Sequence, residues 1–246
     1  MVFPHDYIPE GGNDNNTRSR SFLFIGYALF AMTGMDNINE LLVPENGLIA
    51  LNVPLDETRV GSFSTRTTHP FYLSLWNELL EGLGMNLSVK NPYWNRTKGE
   101  MAEECKNKDI LYEMMKLSFS CSSPGKARWK QLSQQHCGYC VPCLIRRAAM
   151  HKAFGDDGTV YTETSIDEMQ NKNSEGMGIQ LRSFQYAIDK IKQDRNRALL
   201  YIHKPGPLPQ DDEYLQELAD IYVRGLYEVD NFIQDNLAEE DSNNDL

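Results

Sequence analysis

Apolar residues fill most positions from Ser21 to Gly34, directly after the polar run Thr17-Arg18-Ser19-Arg20. That pattern predicts a buried helix whose amino terminus lies near those four residues and which Gly34 ends. A short apolar run, Gly47 to Pro54, is closed by proline and reads as a buried parallel strand; Asn86 to Lys90 reads as another. Between them Phe71, Leu75, Leu79 and Leu83 recur every four residues, which predicts a helix from about His69 to Leu83 with that row inward and Gly84 as its stop. The order is β-α-β. Further helices are expected from Thr97 to about Cys105, Asp109 to Leu117 and Leu144 to Phe154. Two amphipathic helices, Leu181 to about His203 and Asp211 to about Leu237, flank a proline-rich turn and precede an acidic tail. Gly155-Asp156-Asp157-Gly158 marks a candidate boundary. The reading is therefore a flexible lead-in (1–16), an α/β domain (17–158) and a helical appendage (159–246).

Composition narrows the class. The hydrophobic share of 41% and charged share of 24% belong to a globular chain. The longest apolar run is about half of the roughly 20 residues that a bilayer needs, so no membrane span or secretory leader is expected and the cytoplasm is the default compartment. A formal net charge of −11 opposes direct nucleic-acid binding, which rests on cations meeting phosphates. The local basic clusters are Arg18 with Arg20, then Lys126, Arg128 and Lys130, then Arg146 with Arg147. Each either meets a nucleotide's phosphates or is ordinary surface charge.

Three of the five cysteines fall within seven residues, Cys137-Gly138-Tyr139-Cys140-Val141-Pro142-Cys143, and Cys121 lies sixteen positions earlier. Four thiolates close a tetrahedral site with no open position, which suits structural zinc. An iron–sulfur cluster is the competing occupant, although the further cysteine and proline of a ferredoxin motif are replaced by Leu144, Ile145 and Arg146. His136 and His151 are possible substitutes for a sulfur. Cys105, in a charged helical stretch, is expected to be a non-ligand.

With these motifs in view, the chain resembles the QueC-like 7-cyano-7-deazaguanine synthases, and most closely their QatC-like anti-phage-defence relatives. The resemblance spans about residues 17 to 165. It is carried by Thr17-Arg18-Ser19-Arg20, Val43-Pro44-Glu45-Asn46-Gly47, Ser64-Thr65-Arg66-Thr67-Thr68-His69-Pro70, Thr97-Lys98-Gly99-Glu100, and the run from His136 to Ala148 with Ser120-Cys121 ahead of it. It implies an adenine-nucleotide α-hydrolase fold with a Rossmann-like parallel sheet, a zinc-stapled loop, and use of ATP with Mg2+. The implied chemistry is conversion of 7-carboxy-7-deazaguanine through an acyl-adenylate. It further implies that Arg20 and Lys98 act in catalysis, and that Ser19, Arg20 and Arg66 meet the nucleotide. The family's Ser-Gly-Gly-x-Asp-Ser loop, whose amides cradle phosphates, has no counterpart in this sequence. The expectation is a split or truncated member, with another protein chain supplying that loop or being modified, or else a non-catalytic partner-binding subunit.

Overall fold

The computed structural model describes residues 19–56, 66–123, 125–172 and 176–244. The lead-in, Thr17, Arg18, Ser64 and Thr65 therefore lie outside the described residues. Helix α1 (Ser19–Met32) leads to strand β1 (Glu40–Leu42), then to α2 (Gly47–Leu51), α3 (Pro70–Gly82) and β2 (Ser88–Lys90). Next come α4 (Lys98–Glu103), α5 (Lys108–Met115), α6 (Lys126–Trp129) and α7 (Val141–Phe154). The last described elements are α8 (Ile166–Asn171), α9 (Gly176–Gln193), α10 (Arg197–Tyr201) and α11 (Asp212–Asn244). Among the described residues, no helix is long and apolar enough to cross a membrane.

The expected strand from Gly47 to Pro54 is a helix. Asn46 caps it by accepting a hydrogen bond from the Ile49 amide at 3.1 Å, and Asn52 ends it in the left-handed conformation at φ 51°. A five-residue helix buried nearly all round has no amphipathic period, so its sequence reads the same as that of a buried strand. The strand that precedes it, β1, is only three residues long, and it pairs in parallel with β2 so that Leu41 faces Val89.

Helices α1 and α3 cover one face of this small sheet. Ile25, Leu29 and Met32 from α1 meet Leu73, Trp76 and Leu80 from α3 over Val89. The row expected inside α3 is instead its outer face: Phe71, Leu75, Leu79 and Leu83 are all exposed. Both rows of α3 are apolar, and the one that Trp76 belongs to faces the sheet, a choice that spacing alone does not make. Likewise α1 is not wholly buried, since Phe22, Phe24, Tyr27 and Phe30 stand in solvent.

The two edges of the sheet differ. On the outer side of β2, the Asn77 side chain of α3 accepts from the Val89 amide at 2.8 Å and donates to its carbonyl at 3.1 Å. One amide thus satisfies both backbone groups that would bind a further strand. Along β1, Glu40 and Leu42 turn their backbone groups away from β2, and among the described residues no third strand meets them.

A second, larger core joins Leu48 and Leu51 of α2 to Leu144, Ile145 and Ala148 of α7, and to Leu181, Phe184 and Ile188 of α9. Tyr222, Leu226 and Val229 of α11 complete it. Gly225 allows the close crossing of α11 on α2, because a Cβ there would sit 2.9 Å from Leu48 side-chain atoms. Gly155 ends α7 at φ 73°, yet this core includes residues from both sides of 155–158. The single helix expected from Leu181 to His203 is two, α9 and α10. Asp194 accepts from the Asn196 amide at 3.0 Å, a local bond that competes with helix continuation.

Candidate metal centre and carboxyl-edge cavity

Cys121, Cys137, Cys140 and Cys143 come together with all their sulfurs within 4.8 Å of one another. The Cys121–Cys140 and Cys137–Cys143 sulfur pairs are each 3.9 Å apart. A tetrahedron of thiolates about 2.3 Å from a central ion has edges of roughly 3.8 Å, so the four sulfurs match that geometry and close it. The backbone is shaped for this. Gly138 sits at φ 90°, where a Cβ would lie 1.9 Å from the Glu163 carbonyl, so glycine alone permits the turn between Cys137 and Cys140. Cys140 caps α7, Pro142 lies in its first turn and Cys143 follows, which places two sulfurs at a helix amino terminus that favours negative charge. The amides of Ser123 and Cys137 donate to the Cys121 sulfur and that of Cys140 donates to the Cys137 sulfur, each at 3.3 Å. Hydrogen bonds with Cys137 and Cys143 pull the Cys140 thiol well below its ordinary range, while sharing with Cys140 pushes Cys137 up to about 12. Four sulfurs this close ionise together only when a cation neutralises them.

The neighbouring residues serve as scaffold. His136 is buried and its Nε2 accepts from the Ser120 amide at 3.2 Å, while His151 pairs with Asp235 at 2.8 Å; neither belongs to the sulfur cluster. Cys105 is also outside it. Of the basic clusters, Arg146 and Arg147 are buried. Arg146 donates to Ser118 Oγ at 2.9 Å and to Thr159, and Arg147 donates to the Gly138 carbonyl at 3.3 Å and lies over the Phe232 ring at 4.8 Å. Both bind the metal segment to the core.

Of the other expected residues, Arg20 stands at the carboxyl edge of the sheet, because α1 runs back from there to the start of β1. A cavity of about 430 Å³ opens there, lined by Arg20, Ser21, Phe24, Ala28, Leu41, Val43 and Thr67 among others. Arg20 and Ser19 lie in the exposed first turn of α1, and Arg66 is exposed beside Thr67. His69 caps α3, accepting from the Phe71 amide at 3.3 Å; burial, aided by Arg66, pushes its pKa down to about 4, so the ring is neutral. Its Nε2, together with Tyr72 Oη and Trp76 Nε1 along the same flank of α3, finds no hydrogen-bond partner among the described residues.

Lys98 is not in the wall of that cavity. It lies beyond Glu45, where burial lowers its pKa against the pull of Glu45, and burial likewise raises the Glu45 carboxyl. Glu45 is fixed through its backbone to the buried Asn91 at the end of β2, with bonds of 3.1 and 2.8 Å. Gly47 is required in this bend, since a Cβ would meet the Trp94 carbonyl at 2.1 Å.

No protein-family model, curated protein or solved structure matches the chain. The residues that sequence reasoning missed are on α11. Glu228 accepts from the Gly99 amide at 2.9 Å and from the Thr97 hydroxyl, and Arg224 binds Glu100 and donates to the Asn95 carbonyl at 2.9 Å. The last helix thus grips the Thr97–Glu100 turn, itself closed by a reciprocal capping box. The available signal was an acid set among the buried apolar positions of α11. Glu228→Ala orphans two buried donors and is expected to cost about 2–4 kcal/mol, read from the urea midpoint, with Glu228→Gln losing less.

Proposed function

We propose that this chain is part of a QueC-like, ATP-dependent synthase or ligase acting on the carboxylate of a 7-deazapurine, with zinc in the four-cysteine site. The observation that carries this reading is the cavity at the carboxyl edge of the parallel strands, where open α/β sheets bind their ligands, with Arg20 at its rim. In this reading, ATP with Mg2+ and the deazapurine acid meet at that edge. The acid's carboxylate attacks the α-phosphorus and pyrophosphate leaves; ammonia then displaces AMP to give the amide, and a second activation dehydrates it to the nitrile. Arg20, with the amides of the α1 amino terminus and Ser19, faces the departing pyrophosphate, and Arg66 adds positive charge nearby. Lys98, held beside Glu45, is a secondary cation. The closed set of four sulfurs leaves the metal no open position, so its role is to staple the segment from Cys121 to α7.

The phosphate cradle comes from elsewhere in this proposal, on a polypeptide segment bearing Ser-Gly-Gly-x-Asp-Ser. Titration calorimetry of this chain alone with ATP is expected to give no strong binding, and micromolar affinity would overturn the split-site reading. The test of function is to supply that segment, fused or as a second chain, and follow pyrophosphate release dependent on 7-carboxy-7-deazaguanine. The uncovered β1 edge, next to the cavity, favours a second reading in which the chain is a non-catalytic, metal-stapled subunit. An assembled complex that never turns over with any deazapurine acid selects that reading.

A further inference from the structure

One ligand of the four-cysteine site differs from the others. Cys137, Cys140 and Cys143 are 0%, 3% and 0% exposed, whereas Cys121 is only half-buried. Cys121 is also the separate one in sequence. The other three share a turn and the start of α7, while Cys121 reaches them from the connection between α5 and α6. Its sulfur is therefore the one that a small dissolved molecule meets first. The Cys140 sulfur lies beside it at 3.9 Å, and the remaining two, Cys137 and Cys143, are paired at the same 3.9 Å. A disulfide holds its sulfurs at about 2.05 Å, so each pair closes by a movement of roughly 2 Å and neither has to exchange partners. Oxidation-sensing cysteines combine access, thiolate character and a resolving thiol within reach. Cys121 has the access, a bound metal keeps it a thiolate, and Cys140 at the amino terminus of α7 is the resolving partner.

We propose that the site is a hydroperoxide-sensitive switch, in which Cys121 and Cys140 join as a disulfide and the segment lets go of its zinc. The Cys121 thiolate attacks one oxygen of the peroxide. The O–O bond breaks, the departing hydroxide takes a proton to become water, and Cys121 is left as the sulfenic acid. The Cys140 thiolate then attacks that sulfur; the S–O bond breaks, hydroxide leaves and is protonated to water, and the S–S bond forms. Two electrons have passed from the two sulfurs to one peroxide. Two thiolates are too few to close a tetrahedral site, so Cys137 and Cys143 are released to react with a second peroxide in the same way. The segment from Ser118 to the start of α7 is then held by S–S bonds in place of a metal, and a thiol reductant with zinc reverses the change. Cys105, outside the cluster, takes no part. The proposal rests on the sulfur cluster and not on the reading of the carboxyl-edge cavity.

Treatment of the full, zinc-loaded chain with hydrogen peroxide tests it. Zinc release is followed with a coloured chelator, free thiols are counted, and bridges are mapped by peptide mass spectrometry. The bound zinc is expected to leave in step with loss of the first two thiols, and the Cys121–Cys140 bridge to precede Cys137–Cys143. Dimedone added during the reaction should label Cys121 first, and dithiothreitol with zinc should return both metal and thiols. Cys105→Ser is expected to behave as the parent does. Zinc retained at about a tenfold molar excess of peroxide overturns the proposal, as does a first label or first bridge that omits Cys121. Zinc loss with the four thiols intact, or sulfinic acid formed without a bridge, also overturns it. A chain free of zinc still reports the sulfur step through the mapped bridge, so failure of the metal assignment and failure of the switch are read separately.

Discussion

Elemental analysis of the protein purified without chelator is expected to give one zinc per chain and no acid-labile sulfide. Stripping the zinc should unfold the segment from Ser118 to the amino terminus of α7, whose later turns stay packed in the larger core. That segment has little apolar core of its own: its cluster is the three buried cysteines with Tyr139 and Tyr161 packed beside them. Structural zinc supplies apparent binding energies of about 10–16 kcal/mol in small domains, which becomes folding energy where the unfolded chain has no site. Cys140→Ser removes one buried ligand and leaves three sulfurs crowded around the metal. The expected fall in Tm is on the order of 10 °C, since about 1 kcal/mol moves a chain of this size by 2–4 °C. Cys105→Ser, outside the cluster, is expected to leave Tm unchanged. Iron with labile sulfide, or metal-free protein of full stability, refutes the zinc assignment.

The second large effect concerns Arg20. In the assembly completed with a Ser-Gly-Gly-x-Asp-Ser segment, Arg20→Ala is expected to slow pyrophosphate release by about 10²- to 10³-fold, the usual worth of one preorganised donor facing charge that develops in the transition state. The loss should fall on kcat, because the pyrophosphate carries that charge only as it departs. Lys98→Ala, outside the cavity wall, should cost less. A completed enzyme in which Arg20→Ala stays within twofold of the parent returns this arginine to a purely structural place at the start of α1.

What could be read in advance depended on how local the determinant was. The four-cysteine cluster was legible because sulfurs at those spacings have few other ways to be satisfied, and the structure brings together the same four, close enough to hold a metal ion. The helices at 70–82, 98–103 and 141–154 were legible from apolar spacing and from local signals such as Gly84, the Thr97–Glu100 run and Gly155, which act within a turn of chain. Burial was not legible. Gly47–Leu51 is apolar because α11 crosses it, and Leu75 and Leu79 are exposed because the sheet lies under Trp76 instead; both facts are set by residues far away in sequence. For the same reason the grip of Glu228 and Arg224 on Thr97–Glu100, across about 130 positions, left only a faint trace in the sequence.

Asn77 gives the sheet a direction of growth. Because its single amide occupies both backbone groups of Val89, a recruited strand has no purchase beyond β2 and must enter beside β1. Were a second segment to join this sheet as proposed, it would thereby meet the flank that holds Arg20, with Asn77 on the opposite edge setting that side. Exchanging Asn77 for an aliphatic residue would remove that orientation: both margins would accept strands, and pairing at the wrong one would compete with productive assembly while leaving every residue around the cavity intact.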